Sequence, residues 1–137
     1  MGYPSFKYKN ASAEDLSYIG QRLRDIREEL VELDQQRSGV SQNESMFARK
    51  NLADYFELNY HTYTNMEKGV FSHNTFKIIL FFYQLGYNPN WILIEDNEFI
   101  NKKNLDENFS TKADVKEDFK VLKNTIDAAM NEFKTKL

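Results

Sequence analysis

The sequence predicts an all-α fold, with five helices in one domain followed by a C-terminal amphipathic helix of coiled-coil character. Three observations carry this. Apolar residues recur at alternating spacings of three and four through long stretches, the period of one helix face. Helix boundaries are signposted: Ser12 and Asn88 are cap residues, Pro89 stands at a first helical position, and Gly69 and Gly86 stand at ends. The chain of 137 residues is long enough for one domain with a sizeable core plus an appendage.

Composition narrows the function classes. The formal net charge is -3, so the chain is not a polycation. Between Ser17 and Ile94 stand eight Lys or Arg against nine Asp or Glu, which makes that region near neutral. There is no cysteine, which removes disulfides, thiolate zinc sites and cysteine nucleophiles together. A cytoplasmic location is expected. The N-terminal MGYPSFKYKN lacks the apolar run of a signal peptide. Phe6 stands where a myristoylation signal needs Ser or Thr. The apolar run from Ile78 to Tyr83 is too short to span a bilayer, so no membrane role is expected.

Taken in order, residues 1–12 form an N-terminal arm with Tyr3, Phe6 and Tyr8 among small and basic residues. Ser12 with Asp15 makes a capping-box-like start. A long helix over about 13–34 follows, striped by Leu16, Ile19, Leu23, Ile26, Leu30 and Leu33. Residues 35–48 are polar and read as a loop, functional or mobile, with Met46 and Phe47 folding back onto the core. Arg49 and Lys50 open the next helix, where Leu52, Ala53 and Phe56 lie on one side and small Ala53 marks a helix crossing. Leu58 and Asn59 make a tight turn into a helix over about 60–67. Tyr63 and Met66 mark its buried side, Tyr60, His61, Thr62 and Asn65 its outward side, and Gly69 its end.

A helix over about 74–85 then carries Phe76, Ile79, Leu80, Phe82, Tyr83 and Leu85 nearly all round, so it is expected at the centre of the core with the Tyr83 ring inside. Asn88 and Pro89 start a short helix in which Trp91 and Leu93 seal the domain. Residues 96–112 read as a linker with Phe99, Ile100, Leu105 and Phe109 as docking points. Residues 113–137 read as one helix. Its stripe of Val115, Phe119, Leu122, Ile126, Ala129 and Phe133 spans about three heptads, a dimerisation seam or a face folded back on its own domain.

The stretch LADYFELNYHTYTNMEKG, through Leu52, Ala53, Leu58, Tyr63, Met66, Glu67 and Gly69, resembles the helix-turn-helix of the phage-repressor and Cro-like (Xre-like) transcription regulators. IGQRLRDIREEL, Ile19 to Leu30, resembles that family's first helix. LGYNPNWIL, Leu85 to Leu93, resembles its closing turn and last short helix. The likeness covers about residues 17–95. It implies a five-helix repressor-like domain over 13–95, found in phage and bacteria, that lays helix 60–67 in a DNA major groove. Tyr60, His61, Thr62 and Asn65 then face the groove, with Asn65 suited to adenine and Thr62 to a thymine methyl or a phosphate. Arg49, Lys50 and Lys68 lie near the phosphates, Arg49 also in a position to assist the reading helix. Arg27 and Glu67 form a structural ion pair. Val70 and Phe71 replace basic residues that some relatives carry, which implies modest affinity.

The function expected is a sequence-specific, dimeric DNA-binding regulator, most simply a repressor, with double-stranded DNA and a second copy as partners. Val115, Phe119, Leu122, Ile126 and Phe133 would form the dimer contact. The alternative is a protein-interaction module on the same fold, holding a toxin or a phage protein, which the near-neutral charge also suits. No enzyme, metal or cofactor is expected. The chain has no Gly-rich phosphate loop and no nucleophile motif, and His61 and His73 have no carboxylate pattern that completes a metal set.

Overall fold

Two reciprocal hydrogen bonds open the fold in a computed structural model that describes residues 2–104, 120 and 123–131. The Ser12 N–H donates to Asp15 Oδ2 at 2.9 Å, and the Asp15 N–H donates to Ser12 Oγ at 3.3 Å. This is the capping box that the sequence signalled. It starts a single 3-10 turn, Glu14–Leu16, before helix α1, Tyr18–Ser38. Helix α1 runs past the expected end at residue 34. Its stop is Gly39, whose left-handed backbone (φ 68°) lets its N–H reach the Gln35 carbonyl at 3.0 Å. The apolar stripe is the inner face: Leu23, Ile26 and Leu30 are buried, joined by Val31.

The segment after Gly39 is shorter than expected and well tied. A 3-10 turn, Gln42–Glu44, leads into Ser45, which is fully buried. Ser45 Oγ donates to Asp34 Oδ2 at 2.8 Å and accepts from the Phe47 N–H at 3.2 Å. Asn51 Nδ2 donates to the Asn43 and Ser45 carbonyls at 3.1 and 2.8 Å. Phe47 is buried and Met46 half-buried, as the sequence suggested.

Helix α2, Arg49–Tyr55, and helix α3, Tyr60–Glu67, pack on each other, and α1 packs on α3. The turn between α2 and α3 is closed by the Leu58 N–H on the Ala53 carbonyl at 2.8 Å, with Glu57 at a positive φ of 58°. Asn59 caps α3, its Oδ1 accepting from the His61 N–H at 2.7 Å. Helix α3 stops before Gly69. The Val70 N–H donates to the Asn65 carbonyl and the Gly69 N–H to the Met66 carbonyl, the paired bonds of a glycine-terminated helix. Gly20 of α1 sits directly on that end. A Cβ there would lie 2.6 Å from the Met66 carbonyl oxygen and 2.8 Å from that of Glu67. Gly20 is thus the small residue on which α1 meets α3, while Ala53 is fully buried on α2, the helix that also packs on α3.

The backbone divides into two units, Met1–Ser72 and His73–Leu137, with the division between α3 and the next helix. In the second unit, α4, His73–Gln84, packs on α5, Pro89–Leu93. Helix α4 ends at Gly86, with the same pair of bonds that closes α3: the Tyr87 N–H to Phe82 and the Gly86 N–H to Tyr83. Asn88 Oδ1 caps α5 by accepting from the Asn90 N–H at 3.1 Å.

Three expectations are corrected here. Helix α4 is not buried all round. Thr75, Ile78, Ile79, Phe81 and Phe82 face inward, while Phe76 is 67%, Leu80 62% and Tyr83 52% exposed. The Tyr83 ring is therefore not inside. In α5 the inward residue is Ile92; Leu93 is exposed and Trp91 half-buried, with Lys102 Nζ over its ring at 5.1 Å. The start of the expected linker is paired backbone. The Asn88 N–H donates to the Lys102 carbonyl at 2.8 Å, the Asn104 N–H to the Gly86 carbonyl at 2.6 Å, and Tyr87 and Lys103 form an isolated antiparallel bridge. Phe99, an expected docking point, is exposed, and Ile100 is half-buried.

Residues 123–131 are helical, and Ile126 is buried within the single chain. Val115, Phe119, Leu122 and Phe133 lie outside the described residues, as do Leu105 and Phe109. Among the described residues, no helix is long and apolar enough to cross a membrane.

The contact at Gly20 yields a prediction. Gly20→Ala forces a methyl against backbone that cannot yield easily, and should destabilise the chain by about 1–3 kcal/mol in urea unfolding. Gly39→Ala has open space around it and only the backbone strain to bear, so it should cost about 1–2 kcal/mol. A Gly20→Ala protein as stable as the parent would show that α1 does not rest on the α3 backbone.

Candidate nucleic-acid interface

Helix α3 has a sharp division between its two sides. Tyr63, Met66 and Glu67 are buried. His61 and Lys68 are exposed and Asn65 is half-buried. These three, at spacings of four and three, share the centre of the outward face. Tyr60 and Thr62 are also exposed but lie on opposite flanks of that face. The structure thus brings His61, Asn65 and Lys68 together and sets Tyr60 and Thr62 apart. Thr64, which sequence reasoning passed over, is also half-buried there. Its Oγ1 donates to the Tyr60 carbonyl at 2.9 Å, so the hydroxyl is engaged with the helix itself.

The buried side is anchored by charge. Arg27 Nε donates to Glu67 Oε2 at 2.6 Å, and Arg27 Nη2 approaches Oε1 at 3.4 Å. The Glu67 side chain is 3% exposed and that of Arg27 is 7%. The ion pair expected between the first helix and the end of α3 is therefore present and more deeply buried than expected. Burial makes it costly to form and costly to break. Such pairs fix geometry more than they add net stability.

Arg49 joins the same carboxylate. Its Nε donates to Glu67 Oε1 at 3.1 Å, with the side chain 30% exposed. Partial burial works against the Arg49 charge. The Glu67 carboxylate, with a smaller share from the Tyr60 hydroxyl, outweighs it and raises the guanidinium above its ordinary value. Residues from α1, α2 and α3 thus meet on one glutamate. Sequence reasoning placed Arg49 near a phosphate or in support of the reading helix and had no local signal for this tie, because 18 residues separate the partners. Lys50 is exposed at the second position of α2.

Tyr63 completes the buried layer. It is fully buried, and its hydroxyl makes no well-formed hydrogen bond. Burial, and next the nearby Glu67 carboxylate, push its phenol well above the ordinary tyrosine value of 10.0, so it is a neutral packing group. Among the described residues, no group of His, Asp and Glu is arranged to hold a metal ion. Chemically, the face offers an imidazole, an amide and an ammonium on a short rigid helix. These groups can donate and accept hydrogen bonds, and the ammonium can meet an anion.

Two expected outcomes test this layer. Glu67→Gln leaves two guanidiniums beside an uncharged amide, and should destabilise the protein by about 3–5 kcal/mol in denaturant unfolding. The second concerns alkaline pH. A phenol whose value is raised on folding contributes stability that is complete below the unfolded value of 10.0 and is lost as pH rises from there toward the folded value. Tyr63→Phe should therefore flatten the fall in stability above about pH 10, read by urea titrations between pH 8 and 11. Parallel curves for the two proteins would show that Tyr63 is not shielded in this way.

No protein-family model matches the chain, and comparison with curated proteins and with solved structures likewise found no match.

Proposed function

We propose that the chain is a sequence-specific DNA-binding regulator, most simply a dimeric repressor, of the phage-repressor and Cro-like helix-turn-helix type. The observation that carries the reading is the division of α3. A short helix, locked from behind by a buried ion pair, turns His61, Asn65 and Lys68 outward with Tyr60 and Thr62 on its flanks. In this reading α2 and α3 are the two helices of the motif and α3 enters the major groove. Asn65 and Thr62 read bases, Lys68 and Lys50 meet phosphates, and Arg27 with Glu67 fixes the helix. Two copies would read half-sites about one duplex turn apart. Near-neutral charge makes the electrostatic share of affinity small.

The test is fluorescence anisotropy with duplex DNA from the protein's own upstream region and a scrambled duplex, across salt. Asn65→Ala and Thr62→Ala should each narrow the gap between the two duplexes by about five- to 150-fold, the 1–3 kcal/mol of one base contact. Lys68→Ala should weaken both duplexes alike and reduce the salt slope by about one. If all three substitutions leave binding untouched, α3 is not the reading helix.

A second reading has its own observation. The outward face of α4 carries exposed Phe76, Leu80 and Tyr83, with Lys77 half-buried beside them. A stripe of this kind suits a protein partner. In that reading the chain is an interaction module holding a toxin or a phage protein. Leu80→Glu should then abolish copurification of the partner and leave helix content unchanged by circular dichroism. Unaltered copurification would remove α4 as the docking face.

A further inference from the structure

We propose that Arg49 is a positioning residue for the outward face of α3, acting through Glu67 rather than through a phosphate. The inference rests on the DNA-binding reading above and concerns how that face is aimed. Glu67 ends α3 and Arg49 begins α2, so the Arg49 Nε–Glu67 Oε1 bond of 3.1 Å ties the last turn of one helix to the first turn of the other. Arg27 alone already neutralises the carboxylate, at 2.6 Å and in a buried setting. A second guanidinium adds cation–cation repulsion, so its contribution is directional rather than a matter of charge balance. It uses Nε, the side of the guanidinium fork, which a lysine cannot reproduce. Arg49 is only 30% exposed, and a phosphate would have to compete with a carboxylate already in place.

The leverage is large. A helix with side chains has a radius of about 5–6 Å, so turning α3 by 20° about its axis would move the tips of His61, Asn65 and Lys68 by about 2 Å. Productive polar contacts tolerate about 0.5 Å and 10–20°. Arg27 and Arg49 approach Glu67 from two different helices, Arg27 chiefly on Oε2 and Arg49 on Oε1, and the two ties together resist that rotation.

The experiment compares full-length protein with Arg49→Gln, Arg49→Lys and the parent, on the upstream and scrambled duplexes across salt. Arg49→Gln is expected to reduce the preference for the upstream duplex about tenfold with the salt slope unchanged, and Arg49→Lys to fail to restore it. A simple loss of folded protein would lower the binding-competent fraction and leave the ratio of affinities alone. A fall in salt slope of about 0.9 with preference intact and rescued by lysine would make Arg49 a phosphate contact and overturn the proposal. Amide hydrogen exchange on the free proteins provides a reading independent of DNA. Faster exchange over Tyr60–Glu67 in both variants, with the inner turns of α1 unchanged, supports the clamp even if the parent binds no duplex. In that case only the DNA-binding reading fails. Unchanged exchange in α3 overturns the clamp itself.

Discussion

Glu67 is the residue on which the first unit converges. Its carboxylate is almost wholly withdrawn from water and is held by guanidiniums from α1 and α2. An ionised carboxylate in such a setting is tolerable only where it is paired and hydrogen-bonded. That requirement constrains three helices at once. Helix α1 must bring Arg27 to within reach, α2 must start at Arg49, and α3 must end where it does. The glycine termination at Gly69, the Asn59 cap and the tight turn at Leu58 deliver Glu67 to the place where both arginines can meet it. Gly20 serves the same end, allowing α1 to rest on the carbonyls of Met66 and Glu67 without an intervening side chain.

Much of this was legible from local sequence. The stripe through Leu23, Ile26 and Leu30 declares its own inner face, because charged residues fill the rest of α1. Caps and glycine stops are short-range devices, which is why Ser12, Asn88, Gly69 and Gly86 announced their roles. The extent of α1 was misjudged because Gln35 to Ser38 are polar, and polarity says nothing against a helix that runs over the surface. Helix α4 failed for the opposite reason. With Phe, Ile, Leu and Tyr on every side, it has no contrast between faces from which to read an orientation, and only the packing selects Ile78 and Phe82 over Phe76 and Leu80. In α5 the same blindness exchanged Leu93 for Ile92.

The candidate site was legible in part. Tyr63, Met66 and Glu67 fall on the inner side and His61 on the outer, as a period of 3.6 demands. The division between the centre of the outward face and its flanks was not drawn from the sequence. The resemblance offered support of the reading helix as one role for Arg49, but its partner was beyond reach, since a cation at a helix start looks the same whether it meets solvent, a phosphate or a carboxylate 18 residues away. The resemblance supplied the Arg27–Glu67 pair, yet it gave no hint of the third member. In the second unit, backbone pairing of Gly86–Asn88 with Lys102–Asn104 shows how polar composition alone can disguise a fixed segment as a tether.

The way α1 meets α3 has a consequence for how this protein could change. At Gly20 the contact is with main-chain carbonyls, which every amino acid supplies. The inner side chains that matter are confined to Tyr63, Met66 and Glu67. Positions 61, 62, 65 and 68 therefore contribute little to holding the unit together, and their identities can drift independently of stability. A scaffold of this kind separates what keeps it folded from what it displays. Single substitutions at those four positions need no compensating repairs elsewhere, and the same separation makes them the natural positions to diversify in a combinatorial library.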